Sequence, residues 1–360
     1  MKRVGRSLLI LVVAVAILGI TLASCSDQGS GTEERAIAHC QVAIEAIKQG
    51  QYEIAVKQLS QAVDADPTMA LAYSWRAVAY ASMGDCEAAL EDSNRAVQMA
   101  PTSAQVYANR GYTYFVCGDC TKAVADCTRA IEIDPHNEPA YVTRAGAYGL
   151  LGEYNLTIAD SDRAIELDPD DAMAYNNRGY ALMAKGQLEA AISDFARALQ
   201  IDPDMTRALS NRATAYMLLG EYDLAIADLS RIVQIDPGET TAYTNRGLLY
   251  TAKGMYRSAI EDYTRAIELD PGLEEAYARR ASLHFTLGDW EAAAADYTMA
   301  ISFDPENPKA YYYRGICYRN LGRQEEADQD FAKVIELAGS LDAIEKSEEK
   351  PPRLKIKIAQ

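Results

Sequence analysis

Cysteine is the most reactive side chain in this sequence, present at Cys25, Cys40, Cys86, Cys117, Cys120, Cys127 and Cys317. Cys117-Gly118-Asp119-Cys120 has the spacing of a dithiol. In an oxidising compartment such a pair closes a disulfide across a turn, or cycles as a redox couple. The pair straddles a break between two helical stretches and lacks the strand-then-helix setting of redox-active CxxC pairs. We therefore expect a turn staple, a Cys117–Cys120 disulfide, with a thiol-redox factor as the rival reading. Cys86 and Cys120 stand 34 residues apart, where equivalent stretches carry Tyr, Leu or Trp, so both read as packing. His39, His136 and His284 are scattered, and none joins a cysteine at metal-ligand spacing. No GxSxG, HExxH, Gly-rich phosphate loop or acid–base pair stands out. The sequence reads as a non-enzyme without a metal or cofactor.

Charge supplies the second constellation. Arg76, Arg110, Arg144, Arg178, Arg212, Arg246, Arg280 and Arg314 are each followed 16 residues later by Asp92, Asp126, Asp160, Asp194, Asp228, Asp262, Asp296 and Asp330. Arginine and carboxylate form short, charge-assisted hydrogen bonds. We expect structural inter-helix pairs such as Arg178 with Asp194 and Arg246 with Asp262, within a unit or between neighbours. The rival is an arginine row that faces a groove and binds an acidic ligand. The ladder is favoured because losing one partner of a buried pair costs about 3–5 kcal/mol. Both residue types are also missing together from the first copy, which has Val42 and Gln58 in their places.

These residues recur because the chain repeats. Pro67, Pro101, Pro135, Pro169, Pro203, Pro237, Pro271 and Pro305 lie 34 residues apart. Nine frames start at Ala36, Ala70, Ala104, Glu138, Ala172, Thr206, Thr240, Glu274 and Pro308, each with a Gly at its middle, from Gly50 to Gly322. Proline stops one helix and a left-handed glycine reverses another, so each frame reads as helix A, turn, helix B, turn. The eighth, twentieth and twenty-seventh places are mostly Ala or Gly, as in Ala145, Ala191 and Ala198, which lets helices approach closely. Thr157, Ile232 and Val334 depart from this pattern.

Period, small-residue places, mid-frame glycine and terminal proline together resemble the tetratricopeptide repeat. The resemblance covers 36–339 as nine repeats, the first and last atypical. It implies an all-α fold, an α-α superhelix (solenoid) of stacked antiparallel helix pairs. It also implies a non-catalytic scaffold that binds partner proteins or peptide segments in a concave groove lined by the A helices. On the family's pattern, the sixth-place amides Asn109, Asn177, Asn211 and Asn245 lie near that groove, ready to bond a peptide backbone. The ninth, twelfth and thirteenth places are expected to give its wall: Tyr112, Phe115, Tyr180, Met183, Met217 and Phe285. The family's chaperone-tail clamp of Lys and Asn is not assembled: Arg207 and Lys309 are isolated at the second place, and the fifth has no Lys.

The flanks differ from the repeats. Residues 1–24 have a basic start, Lys2, Arg3 and Arg6, then an uncharged apolar run from Ser7 to Leu22, the layout of a signal peptide. Leu22-Ala23-Ser24-Cys25 resembles a bacterial lipobox, which implies diacylglycerol on Cys25 and anchoring by several acyl chains. An uncleaved anchor is the rival, although 16 apolar residues are short for a span. Ser26 follows the cysteine, a residue that leans toward outer-membrane delivery where the source has one. Residues 25–35 read as a lipidated cysteine and flexible tether. Residues 340–360 read as a capping helix, with Leu341 and Ile344 inward, and a basic tail.

The net charge of −17 argues against nucleic acid, whose phosphates need clustered Lys and Arg. The expected protein is an exported, lipid-anchored adaptor of a bacterial envelope, facing the periplasm or cell exterior. A cell-wall polymer binding module that uses the Tyr-rich face is the further alternative.

Overall fold

The computed structural model describes residues 30–341 and Ile344. Cys25, the apolar N-terminal run and the basic tail lie outside the described residues. Eighteen α-helices and no strand occur among those described. Nine A helices are α1 (Ser30–Lys48), α3 (Ala70–Ser82), α5 (Ala104–Val116), α7 (Glu138–Leu150), α9 (Ala172–Ala184), α11 (Thr206–Leu219), α13 (Thr240–Ala252), α15 (Glu274–Leu287) and α17 (Pro308–Asn320). The B helices are α2 (Tyr52–Ala65), α4 (Cys86–Met99), α6 (Cys120–Ile133), α8 (Tyr154–Leu167), α10 (Leu188–Ile201), α12 (Tyr222–Ile235), α14 (Tyr256–Leu269), α16 (Trp290–Phe303) and α18 (Gln324–Ala338). Helices α3 to α17 of the A set begin at the frame starts read from the sequence. The first does not. Helix α1 begins at Ser30, so the end of the expected tether is helical. Thr32-Glu33-Glu34-Arg35 contains no proline, and Glu33 in the first turn suits the positive end of the helix dipole.

The chain divides into two compact units, one ending at Ala215 and the other starting at Tyr216. Leu59, Val106, Cys127 and Phe195 are fully buried in the first, and Leu229, Leu249, Tyr263 and Val334 in the second. At the C-terminal end Ile344 is buried, and its N–H donates to the Leu341 carbonyl at 3.0 Å. No helix among the described residues is long and apolar enough to cross a membrane.

Two turn chemistries alternate. After helix A the mid-frame glycine is left-handed, as in Gly118 at φ 87°. The next N–H then reaches back over the helix end: Asp119 N donates to Tyr114 O at 2.8 Å. After helix B the Asp before proline is pushed into extended backbone, as in Asp134 at φ −134°, ψ 101°. Its carboxylate then closes the turn by accepting the N–H two residues on, His136 N to Asp134 Oδ1 at 2.9 Å. The Asp-Pro pairs are thus turn locks as well as helix stops.

Helices A and B of one repeat meet at the eighth and twenty-fourth places. A β-carbon added at Gly179 would lie 2.7 Å from Phe195, and one added at Gly111 2.5 Å from Cys127 Sγ. Where the eighth place is Ala77 or Ala145, the facing residue is Ser93 or Ser161. At Gly111 and Gly179 the facing side chain therefore occupies the space a β-carbon would need. Overpacking such a contact costs about 1–3 kcal/mol, which outweighs the ~1 kcal/mol helix-propensity gain of glycine to alanine. Gly179→Ala should lower the thermal midpoint, and Gly179→Ala with Phe195→Leu should recover most of the loss, as followed by circular dichroism.

Candidate functional site

Seven junctions between repeats are built around an arginine. In Arg246, Nε donates to Asp262 Oδ2 at 2.8 Å and one terminal nitrogen to Asp262 Oδ1 at 2.7 Å, both within the repeat. The other terminal nitrogen donates to Ser230 Oγ at 3.0 Å, on helix B of the preceding repeat. The arrangement recurs at Arg76, Arg110, Arg144, Arg178, Arg280 and Arg314, whose third bond goes to Ser60, Asn94, Thr128, Asp162, Thr264 and Thr298. Arg178 holds Asp194 through two bonds of 2.8 Å, and Asp162 at 2.6 Å. A twenty-fifth-place polar residue is the functional partner that sequence reading missed. It was present as an unbroken short polar row from Ser60 to Asp162.

The arginines are also sandwiched. Arg110 sits over Tyr107 at 5.6 Å and Tyr114 at 5.7 Å, and Arg246 over Tyr243 at 5.6 Å and Tyr250 at 5.9 Å. Guanidinium over a tyrosine face within ~6 Å is attractive. The bond to Asp262 raises Arg246 above the ordinary guanidinium value. In these seven residues every guanidinium nitrogen is engaged inside the protein, so this row does not present itself to an acidic ligand.

The expected groove wall is largely absorbed into contacts between A helices. Asn109 Nδ2 donates to Ser74 Oγ at 2.9 Å, Asn177 Nδ2 to the Val142 carbonyl at 3.1 Å, and Asn211 Nδ2 to Asn176 Oδ1 at 3.0 Å. Each of these amides ties one A helix to the A helix before it. Tyr112 is half-buried, its hydroxyl 3.4 Å from Ser82 Oγ. Phe115 lies against Gly146, Tyr180 meets Tyr154 edge-on at 6.4 Å, and Phe285 packs on Trp290 and Tyr313. Met183 and Met217 are corrections. They are 6% and 5% exposed and belong to the core, Met183 packing with Phe195 and Ala191. At Met183 the twelfth place, one helical turn beyond the eighth, shares the face that meets helix B.

Asn245 differs. It lines a pocket of ≈ 200 Å³ in the second unit, between α13 and α15, with Thr240, Thr241, Thr244, Leu248, Asp270, Leu273, Glu275 and Arg279. Arg279 and Glu275 pair at 2.7 Å on one side. Leu248 and Leu273 supply an apolar surface, while Asn245 offers an amide at the sixth place. Seven polar or charged side chains surround these two leucines.

The disulfide is not the expected one. Cys117 is bonded to Cys86, with Cα atoms 5.7 Å apart, and Cys120 is a half-buried free thiol. The cause is the register of the stack. The end of one helix A lies beside the start of the preceding helix B, as Lys185 with Asn155 at 2.5 Å and Lys253 with Asp223 also show. That register carries Cys117 to Cys86, on the second repeat. Burial and Asp119 push the Cys120 thiol up, which disfavours the nucleophilic thiolate. The bond is a staple between repeats.

Family models of the tetratricopeptide repeat match residues 40–104, 104–137, 151–206, 182–245, 240–273, 281–322 and 308–340. The chain belongs to the tetratricopeptide-repeat proteins, which are generally non-catalytic scaffolds for protein–protein contacts. No curated protein sequence matches it. Among solved structures it is similar to MamA, at 27% identity over 48% of this chain and 97% of that one, TM-score 0.41. A tetratricopeptide repeat protein from Parabacteroides merdae ATCC 43184 is 20% identical over 68% and 96% of the two chains, TM-score 0.45. YrrB, described as a TPR protein with an unusual peptide-binding site, is 21% identical over 62% and 98%, TM-score 0.39.

Two outcomes follow from these junctions. Arg246→Met should destabilise by about 3–5 kcal/mol, and Arg246→Met with Asp262→Leu by much less, because only the single change strands a buried charge. A double-mutant cycle on thermal midpoints reads the difference. Alkylation of the unreduced chain should modify Cys120 and spare Cys86 and Cys117. By non-reducing peptide mapping, Cys120→Ser should keep the crosslink that Cys86→Ser removes.

Proposed function

We propose that this protein is a non-catalytic adaptor at a bacterial cell envelope, held to a membrane by acyl chains on Cys25, that binds segments of partner proteins along its A helices. The observation that carries the binding surface is the pocket between α13 and α15, where Asn245 stands among threonine hydroxyls and apolar side chains. At the sixth places of Asn109, Asn177 and Asn211 the equivalent amide is bonded to the neighbouring A helix. An extended segment of a partner would set a side chain against Leu248 and Leu273 and bond its backbone to Asn245. The basic, apolar and small-residue order before Cys25 supports export and lipidation. The Cys86–Cys117 bond supports the same reading, since such crosslinks persist outside the reducing cytosol.

The test has two arms. Expressed in a bacterium fed labelled palmitate, the chain should take up label and sediment with membranes, and Cys25→Ser should do neither. Capture from detergent-solubilised envelopes should recover a defined protein set that Asn245→Leu with Arg279→Ala loses at unchanged thermal midpoint. A label-free wild type would overturn the anchor. The same set recovered by both forms would overturn the pocket.

A further inference from the structure

The fourth repeat contains two buried carboxyl groups that the binding surface does not use. Glu138 is the first residue of α7 and is 8% exposed; Asp171 precedes α9 and is 5% exposed. Asp171 is the neighbouring charge that acts most strongly on Glu138, and both carboxyls are buried. Asp171 Oδ1 also accepts the Ala174 N–H at 2.7 Å, which caps α9. One Glu138 oxygen, Oε1, is buried with no donor in reach. Ionised carboxylates only accept hydrogen bonds, so two of them acting on each other away from water need a proton between them. Only this repeat, among those from Ala70 to Asn307, has an acid at both its first and last places; the others offer pairs such as Ala104 with Asn137 and Thr240 with Leu273.

We propose that Glu138 and Asp171 hold one proton between them and form a latch between the A helices of the fourth and fifth repeats, closed at neutral pH and released in alkaline solution. Asp171 is stabilised as the acceptor by the backbone of α9, so Glu138 carries the proton and donates it. The charged groups acting on Glu138 are Asp171 and Asp168, both acidic, and burial with these neighbours pushes it up to about 9. Other nearby charges are turned away: His136 and Asp134 face solvent, Arg178 is committed to Asp194 and Asp162, and Arg197 to Asp170. The sign follows. The folded chain keeps a proton that the unfolded chain releases near 4.5, so this group's stabilisation is full below that value and declines as pH rises toward 9. The latch sits on the same α7–α9 contact as the Asn177 bond to Val142, so the spacing of these two helices becomes proton-dependent.

The experiment is carboxyl ¹³C NMR of the full chain labelled at glutamate, from pH 4 to 10, with Glu138→Gln to assign the signal. A Glu138 signal that titrates above pH 8 is expected. Asp171→Asn, which keeps the cap, should move that midpoint down by about one pH unit or more. Thermal midpoints give a second readout. Between pH 6 and 10 the wild type should lose more than Glu138→Gln, whose amide still donates to Asp171. A Glu138 signal titrating near 4.5, or parallel thermal losses in both proteins, would overturn the latch.

Discussion

A guanidinium held between two B helices is the interaction on which the stack depends. Two of its bonds close its own repeat onto itself through aspartate, and the third reaches the repeat before. One side chain on helix A thereby sets the position of two B helices at once. Apolar surfaces built mainly of alanine are smooth and can slide, since small residues offer little to interlock. The planar fork of arginine is directional and meets a carboxylate in a defined orientation. The alanines allow close approach, and the arginines decide where the approach stops.

That division of labour explains what was readable in advance. Helix starts at Ala70 through Pro308 followed from glycine and proline, because those residues act on the backbone alone. The pairing of Arg178 with Asp194 was also readable, because both occur at fixed places and vanish together. The third partner was harder to see. Ser60, Asn94, Thr128 and Asp162 differ in chemistry, and only their shared shortness and polarity marks them. A tertiary bond across two repeats leaves a weaker trace than a turn does.

The site was legible in outline and misread in detail. Helical phase sends Met183 toward helix B, and Met183 and Met217 filled the core although their chemistry suits an adaptable binding wall. The sixth-place asparagines were expected at the groove, ready for a peptide backbone, and three of them bond the neighbouring A helix instead. The cysteine pairing was missed for a related reason. Cys117 and Cys120 are close in sequence, yet the stack brings residues about 30 positions apart together at several junctions, and that separation governs which thiols meet.

The crosslink between the second and third repeats matters most when the molecule is pulled. A row of stacked hairpins held at one end gives way sequentially under load, each unit paying out chain as it detaches. With tension entering from the N-terminal side, the first repeat can peel freely. At Cys86 the advancing fork meets a covalent loop, and the chain between that residue and Cys117 cannot lengthen. At ~3.3–3.6 Å per residue, roughly 100 Å of slack is withheld. Extension must pass through the bond itself to the repeats beyond, which makes the joined pair an arrest point against mechanical unravelling.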